Sequence, residues 1–513
     1  MKLFLKMIAA ILLALAAAIL LARLFFALPE ITERRDSKAL PPPPEAPLVR
    51  SLAEQARAHP GLTGIASLGR GVDAFAARMM LADSAVSSID AQYYIWHDDL
   101  TGSLLLDALW RAAERGVRVR LLLDDHGTSG LDPQLAALNA HPNAEVRLYN
   151  PFVLRRFKLL SYGFDFFRFN RRMHNKSFTV DGAATILGGR NIGDEYFDTG
   201  PTALYVDLDA LAVGRIVPEV AANFDSYWAA EAVYPAAAIL DGAPPQDPIA
   251  DHADHYRDDP QLAAYREVMG QSDSVTQLRT GRLALEWTDA LLVSDDPRKG
   301  MGKVPREDLL ALRLSRAVGE IATRFDGVSP YFVPGAGGVR AFAGLERQGV
   351  AARMLTNSLA ATDVLPVHAG YAKRRRALLA EGVGLFELKQ EATGEIPKER
   401  IGPFGSSGAS LHAKTFAVDG RRIFIGSFNF DPRSTRLNTE MGLLIDSPAM
   451  AGRLHAAFDQ KFAGLAWQVS LQDDDLVWQD TGSGAVLAEE PGSTLLRRKA
   501  LNVISWLPVE WLL

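Results

Sequence analysis

The pattern of apolar and polar positions divides the chain into an apolar leader, a proline-rich stretch and two regions that repeat one order of elements. Lys2 and Lys6 precede an uncharged run over residues 7–22; Arg23 interrupts it, and residues 24–28 are apolar again. With Arg23 snorkelling to the headgroups, the stretch is long enough to cross a hydrocarbon core of about 30 Å. A cleaved signal peptide usually has a shorter apolar run and a small-x-small cleavage site, which this stretch lacks, so residues 1–29 are expected to form an uncleaved anchor. Four consecutive prolines after Leu40 predict a stiff, extended tether over residues 30–50 that holds the globular part off the membrane.

From Gly71 the periodicity becomes α/β. It predicts a helix over 72–81, a strand over 88–96, a helix over 100–114 and a buried strand over 117–123. Strand, helix and strand at this spacing form a βαβ unit, which predicts a parallel sheet. The second region replays the order, with a helix over 311–323, a strand over 328–333, a helix over 339–347 and a strand over 350–355. The wording repeats too: E-R-G-V-R-V-R-L-L (114–122) resembles R-Q-G-V-A-A-R-M-L (347–355), and A-N-F-D-S-Y-W (222–228) resembles A-A-F-D-Q-K-F (456–462). The expected architecture is a duplicated α/β domain. Two α/β/α sandwiches, residues 51–240 and 306–494, pack about a pseudo-twofold axis, joined by a connecting segment over 241–305. Within that segment residues 283–299 read as a surface turn or a substrate loop. Residues 495–513 carry a basic cluster and then an apolar, Trp-bearing end, which suits a membrane interface or a tail docked in the protein's own groove.

Composition narrows the picture only a little. The 513 residues allow about two to four domains. A net charge of −6 gives no general pull toward nucleic acid. The absence of cysteine excludes disulfides, thiolate metal sites and a cysteine nucleophile.

The chemistry lies in a repeated motif. Residues 174–191 read H-N-K-S-F-T-V-D-G-A-A-T-I-L-G-G-R-N, and residues 412–429 read H-A-K-T-F-A-V-D-G-R-R-I-F-I-G-S-F-N. His174, Lys176, Asp181, Gly182, Gly188 and Asn191 align without a gap on His412, Lys414, Asp419, Gly420, Gly426 and Asn429. On a strand, His and Lys two residues apart share a face. Asp-Gly then turns a hairpin that brings the Asn to the same end. Two lysines and two asparagines can stabilise the nonbridging oxygens of a phosphodiester. One histidine can attack phosphorus while the other moves the proton of the departing and arriving alcohols. A lysine beside each histidine disfavours a metal, so no metal and no cofactor is expected. Asp181 and Asp419 are expected to brace the turns. Arg171, Arg172, Gly188, Gly189, Gly426 and Ser427 flank the motifs and are expected to contact substrate. The basic aromatic run 155–172 reads as a lipid entrance or as a solvated loop. His97-Asp98-Asp99 and Asp124-Asp125-His126 end parallel strands, where supporting roles are expected.

The duplicated H-x-K-x4-D-x6-G-x2-N pattern resembles the phospholipase D (HKD) superfamily. The wording M-H-N-K-S-F-T-V-D, G-S-F-N-F-D-P-R-S-T-R-L-N-T-E-M-G and the terminal S-W-L-P-V-E-W-L-L are similar to those of bacterial cardiolipin synthases of the C type. That resemblance implies a metal-free, ping-pong phosphatidyl transfer through a phosphohistidine, with two phospholipase D-like halves sharing one active site. It implies phosphatidylglycerol as acceptor, phosphatidylethanolamine or phosphatidylglycerol as donor, and no nucleic-acid partner. It implies His174 as nucleophile, His412 as acid and base, and Lys176, Lys414, Asn191 and Asn429 around the phosphoryl oxygens. It also implies a carboxylate behind each histidine. Glu440 is the expected partner of His412, and Asp207, with Glu195 as its rival, that of His174. A bacterial inner-membrane location with a single N-terminal anchor follows, the periplasmic side being favoured. The competing readings are a hydrolase, phosphodiesterase or nuclease with the same site, and a noncatalytic membrane scaffold.

Overall fold

The buried apolar runs assemble into two large sheets with one strand order. The computed structural model describes residues 1–31, 34–199, 204–242, 248–256, 260–270, 276–277, 282–389, 409–460, 462, 464–507 and 510–512. In the first half β1 (Thr63–Leu68), β2 (Ser88–Ile95), β3 (Arg118–Gly127), β4 (Ala144–Tyr149), β5 (Ser177–Val180), β6 (Ala184–Gly188), β7 (Leu204–Val206), β8 (Asp209–Gly214) and β9 (Val233–Pro235) follow in sequence. The connecting segment supplies β10 (Glu286–Thr288) and β11 (Ala290–Ser294). The second half adds β12 (Arg324–Val328), β13 (Ala351–Asn357), β14 (Gly384–Leu388), β15 (Ala409–Leu411), β16 (Lys414–Val418), β17 (Arg422–Gly426), β18 (Met441–Asp446), β19 (Ala466–Gln472), β20 (Asp475–Asp480) and β21 (Val486–Leu487).

The order β8-β6-β5-β2-β3-β4 in one sheet is repeated as β18-β17-β16-β12-β13-β14 in the other. The duplication is therefore one of whole domains. The expected parallel sheet needs correction, because both sheets are mixed. Only β2-β3-β4 and β12-β13-β14 run parallel; the motif hairpins β5-β6 and β16-β17 insert antiparallel strands. The hairpins turn at Asp181-Gly182 and Asp419-Gly420, all four with positive φ, the conformation a two-residue hairpin turn requires.

Other boundaries differ from the expected ones for local reasons. The strand expected over 328–333 lies upstream as β12, because the buried Asp326 and Gly327 break its apolar pattern and Pro330 ends its pairing. Asp326 is tolerated inside because Arg353 (2.6 Å) and His455 (2.6 Å) meet it. The helix expected to reach 323 is Leu310–Val318, stopped by Gly319 at φ 72°.

Residues 34–39 are not a free tether. Arg118, Arg120 and Arg147 donate to the carbonyls of Lys38, Ser37 and Arg35, and both oxygens of Asp225 accept from Ala39 N. These arginines of the first half satisfy the segment's backbone carbonyls and hold it against that half. Ahead of them the helix Lys2–Phe25 has no buried residue and is long and apolar enough to cross a membrane. Arg23 donates to the Phe164 carbonyl at 2.6 Å, and Phe26 stacks on Phe164.

The connecting segment is neither a surface turn nor an open loop over 286–294. It gives β10 to the edge of the first sheet and β11 to the edge of the second. An apolar core forms where the sheets meet, with Leu187, Ala210 and Ala212 in one cluster with Ile425, Met441 and Leu443. The tail divides its behaviour. Helix Leu495–Trp506 buries Leu501 against Leu359 and Ala369, and Glu510 pairs with Arg374 at 2.7 Å. Its other face leaves Leu496, Val503 and Trp506 exposed. Pro508, Val509 and Leu513 lie outside the described residues.

Each motif Asp accepts three backbone N–H groups ahead of the neighbouring strand: Val86, Ser87 and Ser88 for Asp181, and Ala322, Thr323 and Arg324 for Asp419. Asp181→Ala, which strands buried donors, is expected to lower unfolding stability by about 1–3 kcal/mol. Asp419→Ala, at the more exposed site, is expected to lower it less. Denaturant melts of both variants check this, and an unchanged midpoint for Asp181→Ala would contradict it.

Candidate active site

Each motif histidine sits just before its hairpin rather than in it. His174 to Lys176 precede β5, and His412 lies between β15 and β16. What fixes them is a pair of short crossings between the halves. Met173 bridges Thr439 in parallel; His174 N donates to Thr439 O and Thr439 N to Arg172 O, both at 2.9 Å. The second crossing mirrors the first, since β15 pairs in parallel with β7 and His412 N donates to Val206 O at 2.8 Å.

The crossings set the carboxylate partners. Thr439 precedes Glu440, so Glu440 Oε2 meets His174 Nδ1 at 2.8 Å. Val206 precedes Asp207, so Asp207 Oδ2 meets His412 Nδ1 at 2.5 Å. The pairs expected from the sequence are thereby reversed. The correction has a simple cause: each carboxylate ends a segment that pairs with the other half, so it cannot serve the histidine of its own half. Glu195 serves neither; it lies 3.1 Å from His97 Nδ1.

The remaining residues divide by what they touch. Lys176 Nζ donates to the carbonyl of His174 at 2.6 Å, and Lys414 Nζ reaches the carbonyl and Nδ1 of His412. Asn191 Oδ1 accepts from Ile95 N and its Nδ2 donates to the Tyr196 hydroxyl; Asn429 Oδ1 accepts from the Ser329 hydroxyl. Ser427 Oγ donates to Glu440 Oε2 at 2.5 Å and so supports a partner of the histidine. Gly188, Gly189 and Gly426 are close-approach positions. A Cβ on Gly189 would stand 2.0 Å from Asp207 Oδ1, and one on Gly426 2.4 Å from Met441 O. Gly188 meets Asp209 in the same way. Arg172 is buried on Asp124 (3.0 Å) and on the carbonyls of Phe169 and Asn150, which take most of its donors. Arg171 lines a separate cavity with Lys299 and Arg436. The run 155–172 is tied down by further ion pairs, Arg155 and Lys158 on Asp125 and Arg168 on Asp165.

Several supports carried no readable signal. Ser434 Oγ donates to Glu440 Oε1 at 2.7 Å. Asp295, held by Lys299 at 2.8 Å, accepts Glu440 N at 3.0 Å, so the connecting segment braces the site. Asp124, by contrast, belongs to a run where a supporting role is expected, and it accepts Met173 N at 2.7 Å, just ahead of His174. The Tyr94 ring stands edge-on to His174 at 5.0 Å, and Tyr196 and Tyr205 lie 5.1 and 5.0 Å from His412. Their only sequence signal is an aromatic near a motif, which is common in any core.

Burial and charge tune the two histidines unequally. Burial, then Lys176, Lys414 and His412, push His174 well below the ordinary histidine range. Burial and Lys414 also lower His412, against the pull of Asp207. The crossed contacts of Glu440 with His174 and of Asp207 with His412 bring the two motifs together. Burial raises Glu440 to about 7 against the opposing Lys176. Burial also opposes the charge of Asp207, but His412, Lys414 and Arg190 outweigh it and hold that carboxyl well below the usual range. Burial lowers Lys414 to about 8. With each Nδ1 facing a carboxylate, each Nε2 is the nitrogen left for chemistry. Burial also lowers Lys176 well below the ordinary lysine range, against the pull of Glu440. Among the described residues, His97, Asp99 and Glu195 could offer a metal three donor atoms within 4.8 Å of one another. Asp99, however, already caps the helix Leu100–Glu114 and accepts Asp194 N.

The family described as "Cardiolipin synthase, PLD-like domain" matches residues 79–228 and 314–462, one copy in each half. The chain is 48% identical to cardiolipin synthase C of Escherichia coli over 89% of its own length and 97% of the relative's. It is 30% identical to an uncharacterised Helicobacter pylori protein over 87% of this chain and 89% of that one. Among solved structures, phosphatidylserine synthase of Haemophilus influenzae superposes with a TM-score of 0.53 and 15% identity, covering 91% of this chain and 100% of the other, which speaks for the fold alone. With both copies of the motif meeting in one buried site and the family match falling on both halves, the chain belongs to the PLD-like cardiolipin synthase family.

Proposed function

We propose that the protein is a phosphatidyltransferase that makes cardiolipin from phosphatidylglycerol and a second phospholipid. The observation that carries the reading is the crossed arrangement of two histidine–carboxylate pairs with two buried lysines, in a family of cardiolipin synthases. His174 Nε2 attacks the donor phosphorus and the bond to the headgroup oxygen breaks. His412 Nε2–H gives its proton to that oxygen. The phosphatidyl group then rests on His174. A hydroxyl of phosphatidylglycerol, losing its proton to His412, attacks phosphorus and displaces His174. Lys176 and Lys414 face the charge that builds on the nonbridging oxygens. The division of roles follows from the carboxylates. Glu440, raised to about 7, holds a cation on His174 less firmly than the ionised Asp207 holds one on His412.

Asp363 supports an amine-bearing donor such as phosphatidylethanolamine. It is exposed, accepts the Tyr331 hydroxyl at 2.7 Å and the Tyr205 hydroxyl at 3.4 Å, and its charge is felt by Lys414. A carboxylate flanked by tyrosines on the His412 side suits the ammonium of a departing headgroup. The apolar helix Lys2–Phe25, long and apolar enough to cross a membrane, supports a single membrane anchor.

The direct assay is the detergent-solubilised full chain with phosphatidylglycerol, with and without phosphatidylethanolamine, beside a labelled oligonucleotide. Cardiolipin is the expected product, and His174→Ala or His412→Ala is expected to lower its rate by at least about 10²–10⁴-fold. Oligonucleotide cleavage, or phosphatidic acid in place of cardiolipin, would turn the reading toward a nuclease or a hydrolase.

Burial lowers both motif lysines, Lys176 as well as Lys414, so both act on the alkaline side of the pH dependence. The charge of Lys414 is present below about pH 8 and lost above it, so kcat/KM is expected to fall as pH rises through about 8. Lys414→Arg, if it folds, should move that limb upward. An alkaline limb unmoved by Lys414→Arg would contradict the role given to this lysine.

A further inference from the structure

The second half contains a cavity that the catalytic centre does not use. It measures about 820 Å³ and lies between the sheet and the helices Leu310–Val318 and Gly335–Arg347. Leu314, Val318, Phe325, Phe342, Phe416 and Phe428 give it a predominantly apolar wall. The volume falls within the ~300–1,000 Å³ usual for pockets that enclose a small ligand. Three carboxylates stand around it. Asp431 is turned into the cap of Ser434, Glu510 is paired with Arg374, and Glu320 sits at an exposed end.

A second cavity of about 390 Å³, with cationic side chains in its lining, adjoins it and shares Ala311, Thr435 and Arg436 with it. Arg171, Arg306 and Arg436 all line this second space. Lys299 also lines it but is already neutralised by Asp295. The other three are different. Among the described residues none of them has a carboxylate within ion-pair distance. Three unneutralised guanidinium groups around one space repel one another unless an anion joins them.

The surroundings tell which anion. Arg171 donates to the carbonyl of Phe167, on the helix Tyr162–Phe169. The apolar side chains of Leu159, Leu160 and Phe167 in this region are exposed. The same helix receives the membrane-length N-terminal helix, through Phe26 on Phe164 and Arg23 on the Phe164 carbonyl. The basic space therefore opens beside the part of the molecule nearest the lipid surface.

We propose that these two cavities form a second lipid site, apart from the histidines, that takes one anionic glycerophospholipid with an acyl chain in the apolar cavity and its phosphate on Arg171, Arg306 and Arg436. A bare anion would leave the apolar cavity unfilled. A zwitterionic lipid would bring a cation against the arginines.

The test uses the full chain in detergent carrying His174→Ala, which prevents turnover, titrated with dihexanoyl phosphatidylglycerol and followed by calorimetry. Two binding phases are expected. Lys176→Ala with Lys414→Ala should remove the phase of the catalytic centre. Arg306→Glu with Arg436→Glu, both at exposed positions, should weaken the other phase by about tenfold or more. Ala341→Trp, which fills the apolar cavity, should weaken that same phase. Loss of only the lysine-dependent phase in the arginine variant, or a single phase in the parent, would overturn the proposal while leaving the catalytic reading standing. Persistence of both phases in the lysine variant would count against the catalytic reading instead. Inorganic phosphate that displaces the lipid from the arginine-dependent phase as well as dihexanoyl phosphatidylglycerol does would show an anion site without a chain, and would also overturn it. Dihexanoyl phosphatidylcholine is expected to bind that phase at least about tenfold more weakly, and equal binding would contradict the role of charge.

Discussion

The structure depends on one constraint: each imidazole is held by a carboxylate from the other half. His174 leans on Glu440 and His412 on Asp207, each through a parallel backbone crossing of a few residues. Neither half can complete its own histidine. The apolar interface between the sheets and the edge strands given by the connecting segment follow from the same need, because both keep the crossings in register. The arrangement also makes the site asymmetric. One crossing delivers a glutamate held by two serines, the other an aspartate beside Arg190 and Lys414, and the two histidines inherit different environments.

Burying two lysines and two histidines together is unfavourable without compensating charge or hydrogen bonds. The molecule meets the demand in layers. Lys176 and Lys414 reach the carbonyls of the motif histidines, Asp295 holds Glu440 N, and Lys299 holds Asp295. The residual penalty survives as perturbed proton affinities: a glutamate raised to about 7 and a lysine lowered to about 8. Such groups change charge near neutrality, which is what a site that alternates between attacking and releasing a phosphoryl group requires.

Much of this was legible in the sequence. Two aligned motifs with His, Lys and Asn in step announced duplication and a shared site, and the Asp-Gly turns announced the hairpins. The carboxylate pairing was not legible. Glu440 follows the second motif and Asp207 the first, so proximity in sequence suggested same-half pairs; only the crossings at Met173–Thr439 and β7–β15 reverse them. The glycines and Arg172 mislead for a related reason. A glycine beside a motif looks like room for a ligand, yet Gly189 and Gly426 make room for Asp207 and for Met441 O. Arg172 looks like a headgroup contact until Asp124, from a distant strand, is found against it. Residues 34–39 look free because nothing local bonds them; their partners Arg118, Arg120 and Arg147 lie far along the chain.

The crossed pairing can be read directly from the imidazole nitrogens. In protein labelled with ¹⁵N at its 10 histidines, with His174 and His412 assigned from their alanine variants, Glu440→Gln should shift the ring nitrogens of His174 and leave those of His412 in place. Asp207→Asn should do the reverse. If Glu440→Gln moves His412 and spares His174, each histidine is served by its own half and the crossed pairing does not exist.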